Sequence, residues 1–136
     1  MLYNTNIKIN GEIALDGDKS ISHRILMMAS LITDKSIIYN IPDCSDVNST
    51  INCLKECGIS IENHLHLIRS LEVKGGSFKN PKNPLDCGNS GSTLRMMLGL
   101  FAANGLSGKF IGDDSLSKRP MKRIIEPLSQ MGAIIK

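Results

Sequence analysis

From Ile7 to Leu15 apolar and polar positions alternate, which predicts a strand with one buried face, and Asp16-Gly17-Asp18 then supplies turn residues. The period lengthens beyond the turn. Ile21, Ile25, Leu26, Met28, Ala29 and Leu31 form a broad apolar helical face, with Ser20 and Ser22 as candidate capping hydroxyls. Ser36 to Ile41 is a short β-branched run ended by Pro42, and Ser45 or Asp46 can cap a second helix that runs to Cys57. Gly58 closes that helix as a left-handed cap. Ile59 to Glu62 and Leu65 to Val73 read as strands joined near His64, and a loop rich in Gly, Asn and Pro follows from Gly75 to Pro84.

The order of elements then returns: a helix from Ser90 to Ala103, a strand from Lys109 to Gly112, a helix from Pro120 to Met131 and a strand from Ala133 onward. Leu54-Lys55-Glu56-Cys57-Gly58-Ile59-Ser60-Ile61 falls over Leu128-Ser129-Gln130-Met131-Gly132-Ala133-Ile134-Ile135, an offset of 74 positions. A duplicated α/β (α+β) unit explains this economically, although helix-Gly-strand junctions of this kind also arise by coincidence. The division it predicts is a leading strand and crossover over 1–17, a first unit over 18–76 and a second, incomplete unit over 77–136. With its closing strands missing, the chain reads as part of something longer, with a sheet edge that needs cover.

Composition narrows the function. The 136 residues allow one globular domain, and 16 Lys+Arg against 13 Asp+Glu is too small an excess to mark a nucleic-acid binder. No Trp, two Tyr and three Phe provide few stacking platforms for single-stranded nucleic acid. No apolar run reaches membrane-spanning length and the N-terminus lacks the apolar core of a signal peptide, so the expected location is cytoplasmic, with no membrane partner. Cys44, Cys53, Cys57 and Cys87 have neither paired CxxC spacing nor His partners at ligand spacing, so neither a metal site nor a disulfide framework is expected. Cys53 and Cys57, four apart, are expected to share a helical face.

Candidate chemistry gathers at helix starts, where unpaired backbone N–H groups and the positive dipole end suit phosphate or carboxylate. In Asp18-Lys19-Ser20-Ile21-Ser22-His23-Arg24, Lys19 and Ser20 sit at a helix start with Arg24 one turn further on the same side. A compact ammonium, a hydroxyl and a guanidinium fork then converge on one anion; ordinary capping with solvated charges is the bland alternative. Gly88-Asn89-Ser90-Gly91-Ser92-Thr93-Leu94-Arg95 combines small residues that allow close approach with successive hydroxyls, yet lacks the Gly-Lys-Ser/Thr ending of a nucleotide loop. A plain Gly-Ser loop competes with that reading. Lys118 and Arg119 stand before Pro120, a residue suited to the first helical position, so their charges are expected to oppose a helix dipole unless an anion is bound; a solvated basic pair is the alternative.

These segments are recognisable in combination. Lys19-Ser20-Ile21-Ser22-His23-Arg24, Gly88 to Arg95 and Arg119-Pro120-Met121 resemble three signature segments of the EPSP synthases, in that family's order and spacing, and Asp43 to Asp46 and Gly112-Asp113-Asp114-Ser115-Leu116 also fit. The resemblance implies an enolpyruvyl transferase fold of two similar domains, each built from three βαβαββ units, with the active site in the cleft between them. It implies transfer of the carboxyvinyl group of phosphoenolpyruvate to the 5-hydroxyl of shikimate 3-phosphate, in the shikimate pathway of aromatic amino acid biosynthesis. The hydroxyl attacks C2 of phosphoenolpyruvate, and the tetrahedral intermediate loses phosphate, with no cofactor. Carried over by position, Lys19 would contact both substrates, and Ser20 and Arg24 would hold shikimate 3-phosphate. Asn89, Gly91 and Arg119 would line the phosphoenolpyruvate pocket, where glyphosate competes in this family. Lys19 and Arg119 would act electrostatically.

Departures from the family pattern are His23 where Asn is common, Ser92 where Thr is common and Met96 where many members have Pro. His23 is read as structural or solvent-facing rather than as a general base, and Met96 and Met97 as core filler. Family members are roughly three times longer than one domain of this size. Their acid–base groups come largely from the remaining C-terminal region, so this chain is expected to bind weakly and not to turn over. Three rivals remain: a UDP-N-acetylglucosamine enolpyruvyl transferase, whose first signature differs from Lys19 to Arg24; a non-catalytic phosphate- and carboxylate-binding module; and an RNA-binding domain, which strong salt-dependent binding would reveal.

Overall fold

The computed structural model describes residues 10–64 and 69–136. Its first half runs α1 (Lys19–Leu31), β1 (Lys35–Ile38), α2 (Ser45–Glu56), β2 (Ser60–Asn63) and β3 (Leu71–Lys74). β3 lies between β1 and β2 and is antiparallel to both, with Ser36 and Ile61 opposite Val73 and Ile38 opposite Leu71. One sheet face therefore carries Ile38, Ile61, Leu71 and Val73 into the core, while Lys35 and Glu72 form an ion pair on the other at 2.8 Å. Helix α2 crosses from β1 to β2 and buries Val47, Thr50, Cys53 and Leu54.

The second half runs β4 (Leu85–Asp86), α3 (Gly91–Asn104), β5 (Phe110–Ile111), α4 (Asp114–Ser117) and α5 (Lys122–Gln130). β4 and β5 pair in parallel with α3 as their crossover. Leu85, Met97, Leu100, Phe101 and Leu116 extend the same core, and Phe101 meets Phe110 edge-on with ring centroids 4.9 Å apart.

The repeated segments adopt one hydrogen-bonding pattern. At the end of α2, Cys57 N–H donates to the Cys53 and Leu54 carbonyls, Gly58 N–H to Lys55 and Ile59 N–H to Leu54; at the end of α5, Met131 donates to Pro127 and Leu128, Gly132 to Ser129 and Ala133 to Leu128. Gly58 and Gly132 take φ of 90° and 98°, the left-handed residue of a Schellman-type cap, so the 74-position offset relates two helix ends bond for bond.

Several expectations need correction. Ile7 to Ile9 lie outside the described residues, and 10–15 form no strand; Ile13 and Leu15 stand exposed, since no described strand supplies them a ladder partner. For the same reason the run from Ala133 onward is not a strand. Of the strand expected over 65–73, residues 65–68 lie outside the described residues, and Leu71 to Lys74 form the ladder. The caps also differ. Asp18, not Ser20 or Ser22, caps α1 by accepting from Ile21 N–H at 2.7 Å, and α2 begins after Cys44 with no side-chain cap, so neither Ser45 nor Asp46 fills that place. Helix α1 turns Ser22, His23, Leu26, Met27, Ala29 and Ser30 inward, leaving Ile21, Ile25, Met28 and Leu31 exposed. Leu26 and Ala29 face inward as expected, and beside them lie Ser22, His23 and Ser30, whose polar contacts hydropathy does not register. β4 and α4, too short to give a period, fall in stretches to which the sequence pattern assigned no element.

Candidate anion-binding site

Two clusters form at the helix starts singled out above. In the first, Lys19 Nζ pairs with Asp46 Oδ2 of α2 at 2.8 Å, and Arg24 Nη1 donates to Ser20 Oγ at 2.7 Å one turn along α1. The hydrogen bond and the negative charge of Asp46 hold Lys19 above its ordinary pKa, so it is a cation at any neutral pH. In the second, Arg119 Nη2 donates to Asn89 Oδ1 at 2.5 Å, while Asn89 Nδ2 donates to Asp113 Oδ2 at 2.6 Å. Asp113 also caps α4, its Oδ1 accepting from Leu116 N–H at 2.7 Å. The bond from Asn89 and the backbone donors hold the exposed Asp113 carboxyl below its usual range. Asn89 is thus oriented with its oxygen toward the guanidinium and its amide toward the carboxylate.

Gly91 sits beside this second cluster. A Cβ there would lie 2.9 Å from Arg95 Nη1 and 3.1 Å from Arg119 Nη1, so the missing side chain makes room for two guanidinium groups. Ser90 caps α3 by accepting from Thr93 N–H at 3.1 Å. Lys118 is placed differently from expectation: it is the C-cap of α4, where its charge suits the dipole, and α5 starts later, at Lys122. Met97 is fully buried and Met96 packs against the core, as expected of filler.

Beneath the clusters runs a buried hydroxyl chain. His23 Nδ1 contacts Thr50 Oγ1 at 2.8 Å, Thr50 Oγ1 contacts Thr93 Oγ1 at 2.7 Å, and the Thr93 hydroxyl can donate its one proton to Ser90 Oγ at 2.7 Å or to the Asp46 carbonyl at 3.2 Å. One path therefore links α1, α2 and α3, joining the residue that pairs with Lys19 to the loop that carries Asn89. His23 is structural: it is fully buried and its Nε2 has no hydrogen-bond partner.

Burial, the largest influence, pushes the His23 imidazole below its ordinary 6.5 against the opposing pull of Asp46. The folded chain resists a proton that the unfolded chain accepts, so the stability His23 contributes is present above about pH 6.5 and is lost as pH falls below it. Urea unfolding at a series of pH values from neutral to mildly acidic should give a midpoint that declines through this window, and His23→Asn should flatten the decline. An unchanged slope in the variant would assign the acid sensitivity elsewhere.

Sequence reasoning named Lys19, Ser20, Arg24, Asn89, Gly91 and Arg119 and passed over Asp46, Asp113, Thr50 and Arg95 as site-forming groups. A signal was available for Thr50, a hydroxyl residue on the same helical face as Val47 and Leu54. Among the described residues no group of three or more His, Cys, Asp or Glu could hold a metal ion, and no helix is long and apolar enough to cross a membrane.

The fold and these clusters define a mixed α/β domain that places cations and oriented amides beside helix starts, an arrangement suited to anions. The family model described as EPSP synthase (3-phosphoshikimate 1-carboxyvinyltransferase) matches residues 4–136, and the chain belongs to this family. A 3-phosphoshikimate 1-carboxyvinyltransferase of Salinibacter ruber is 41% identical over 128 residues, covering 93% of this chain and 30% of the relative. One from Petrotoga mobilis is 46% identical over 125 residues, covering 91% and 29%. A solved EPSP synthase structure from Acinetobacter baumannii superposes with a TM-score of 0.85 at 33% identity, covering 93% of this chain and 28% of that one. The chain thus spans about 30% of the length of the relatives it matches.

Proposed function

We propose that this chain supplies a substrate-binding half-site for the transfer of the carboxyvinyl group of phosphoenolpyruvate to the 5-hydroxyl of shikimate 3-phosphate. The carrying observation is the pair of clusters joined by the hydroxyl chain: Lys19, Ser20 and Arg24 on one side, Asn89, Gly91 and Arg119 on the other. In this reading Ser20 and Arg24 bind shikimate 3-phosphate, and a phosphate displaces their mutual bond to take both donors. Asn89 and Arg119 receive phosphoenolpyruvate beside Gly91, whose missing side chain lets the Arg119 guanidinium come close, and Lys19 serves both substrates. Lys19 and Arg119 act through fixed charge, stabilising the anionic groups and their orientation. Proton transfers fall to groups in the rest of the enzyme, which occupies about two thirds of the relatives' length, so this chain by itself does not turn over; the assembled enzyme works in the cytoplasm. The repeat supports a division into a first unit over 18–76, in the order αβαββ, and part of a second over 77–136.

Amide chemical shifts of the chain, titrated with shikimate 3-phosphate and then phosphoenolpyruvate, test the half-site. Saturable shifts should cluster at 19–24 for the first ligand and at 88–95 and 119 for the second. An unresponsive spectrum at millimolar ligand would remove binding by this chain alone. Turnover on adding the rest of a relative's chain would separate a half-site from a non-catalytic anion-binding module, for which binding without turnover is the expected result.

A further inference from the structure

Asp113 is not among the substrate contacts proposed above, yet its carboxylate is held on both oxygens. Oδ1 accepts from Leu116 N–H at 2.7 Å and Oδ2 accepts from Asn89 Nδ2 at 2.6 Å. The backbone is fixed as well: Asp113 N–H donates to the Gly88 carbonyl at 3.0 Å and Cys87 N–H to the Ile111 carbonyl at 2.9 Å, which stitches the segment after β5 to the turn that carries Asn89. Gly112 permits that approach, since a Cβ there would lie 2.9 Å from the Gly88 carbonyl oxygen.

The neighbours of Asn89 leave its amide one orientation. A carboxylate only accepts and a guanidinium only donates, so the amide nitrogen must face Asp113 and the oxygen must face Arg119 Nη2, 2.5 Å away. The interposed amide also keeps the two charges apart. Among the described residues Arg119 has no ion-pair partner, whereas Lys19 is paired directly with Asp46 at 2.8 Å. The Asn89 bond is accordingly the largest influence holding the Asp113 carboxyl below its usual range, and the Arg119 charge the smallest.

We propose that Asp113 is a positioning residue for phosphoenolpyruvate: acting through Asn89, it aims the Arg119 guanidinium at the ligand without neutralising it. The inference rests on the half-site reading and adds how the cation of that site is held. Nη2 is engaged by Asn89, which leaves Nη1, on the side toward Gly91, to meet an anion. A turned Asn89 would set its own N–H groups against Nη2, donor against donor, and release the guanidinium.

Asp113→Ser separates the two tasks of the carboxylate. Serine still caps α4 by accepting from Leu116 N–H, but no second oxygen remains for Asn89. In the parent the two side-chain amide protons of Asn89 should resonate far apart, the one bonded to Asp113 downfield; in Asp113→Ser they should draw together toward free-amide values. Affinity for phosphoenolpyruvate, followed at the 88–95 amides, should fall roughly twofold to tenfold, the effect of one neutral hydrogen bond. Removing a carboxylate would by itself favour an anion, so a fall reads lost positioning rather than charge. The shikimate 3-phosphate response at 19–24 and the urea midpoint should stay with the parent. The Leu116 amide reports the cap in the same spectrum, and if serine fails there, Asp113→Asn, also a capping residue, turns a donor toward Asn89 and should give the same two changes. The inference is overturned if the Asn89 signals stay as in the parent, if they collapse while phosphoenolpyruvate binds as before or more tightly, or if both ligand responses fall together with the midpoint. The Asn89 signals are read without ligand, so a parent that ignores phosphoenolpyruvate while the variant frees Asn89 overturns the half-site reading and not the hold on Asn89.

Discussion

Arg119→Ala should weaken the phosphoenolpyruvate response of the chain by roughly tenfold to a hundredfold, the effect of removing a charge-assisted hydrogen bond of about 1.5–3 kcal/mol. Arg119 is the donor that both meets Asn89 Oδ1 and borders the space above Gly91. Its loss removes charge and leaves Asn89 held by Asp113 alone. Lys19→Ala should weaken both ligands by a comparable factor, because in the proposed reading Lys19 serves both substrates and its partner Asp46 would remain as an uncompensated negative charge facing an anion. Gly91→Ala separates packing from charge. Its new methyl would press on the Arg95 and Arg119 guanidinium groups, so the phosphoenolpyruvate shifts should weaken while those for shikimate 3-phosphate at 19–24 persist. Equal loss of both responses in Gly91→Ala would mean that the two clusters are not separate subsites. Lys19→Ala and Arg119→Ala should keep the parent's unfolding midpoint to within a fraction of its value, since neither side chain is buried.

Stability should respond most to Gly75→Ala. A Cβ at Gly75 would lie 2.5 Å from the Ser30 carbonyl carbon and 2.7 Å from the Ala29 carbonyl oxygen, and the adjoining Gly76 N–H donates to Ser30 O at 2.9 Å. These are backbone atoms at the end of α1, so no rotamer change can relieve the clash, and the end of β3 must separate from α1. A loss of about 3 kcal/mol, at the upper end of ordinary overpacking effects, is expected. That is a large part of a total near 5–15 kcal/mol. Gly99→Ala, in the interior of α3 with nothing within 4 Å of its Cβ, should instead gain about 0.5–1 kcal/mol from reduced freedom of the unfolded chain. Urea midpoints of the two variants should move in opposite directions; a neutral Gly75→Ala would mean that β3 and α1 have slack at their junction.

The pair of glycines also marks what a sequence reveals and what it hides. Gly58 and Gly132 were legible as helix ends because a left-handed cap is a local event, and the bonds around them agree. Gly75 was legible only as loop, since its role depends on a helix end 45 positions earlier in the chain. The same division runs through the elements. Helices α2, α3 and α5 lie close to their expected spans because their periods are long enough to register. The strands expected at Ile7 to Leu15 and from Ala133 depend on pairing with distant chain, which a local pattern does not encode. In the site, charged residues at helix starts were visible by type, whereas Asp46 and Asp113 acquire their roles only when α2 and α4 bring them to Lys19 and Asn89. Helix α1 is the clearest case: of the face hydropathy selected, Leu26 and Ala29 are buried, but in place of Ile21, Ile25 and Met28 the fold buries His23 and two serines.

That choice bears on how a ligand would be received. With His23, Thr50, Thr93 and Ser90 in one buried relay, the relative positions of α1, α2 and α3 are fixed before any ligand arrives. The rotational and translational freedom of the charged groups is then surrendered during folding, and a bound anion need order little more than side-chain ends. Preorganisation of this kind favours a fast, nearly rigid encounter, with heat of binding dominated by charge and desolvation and little change in heat capacity.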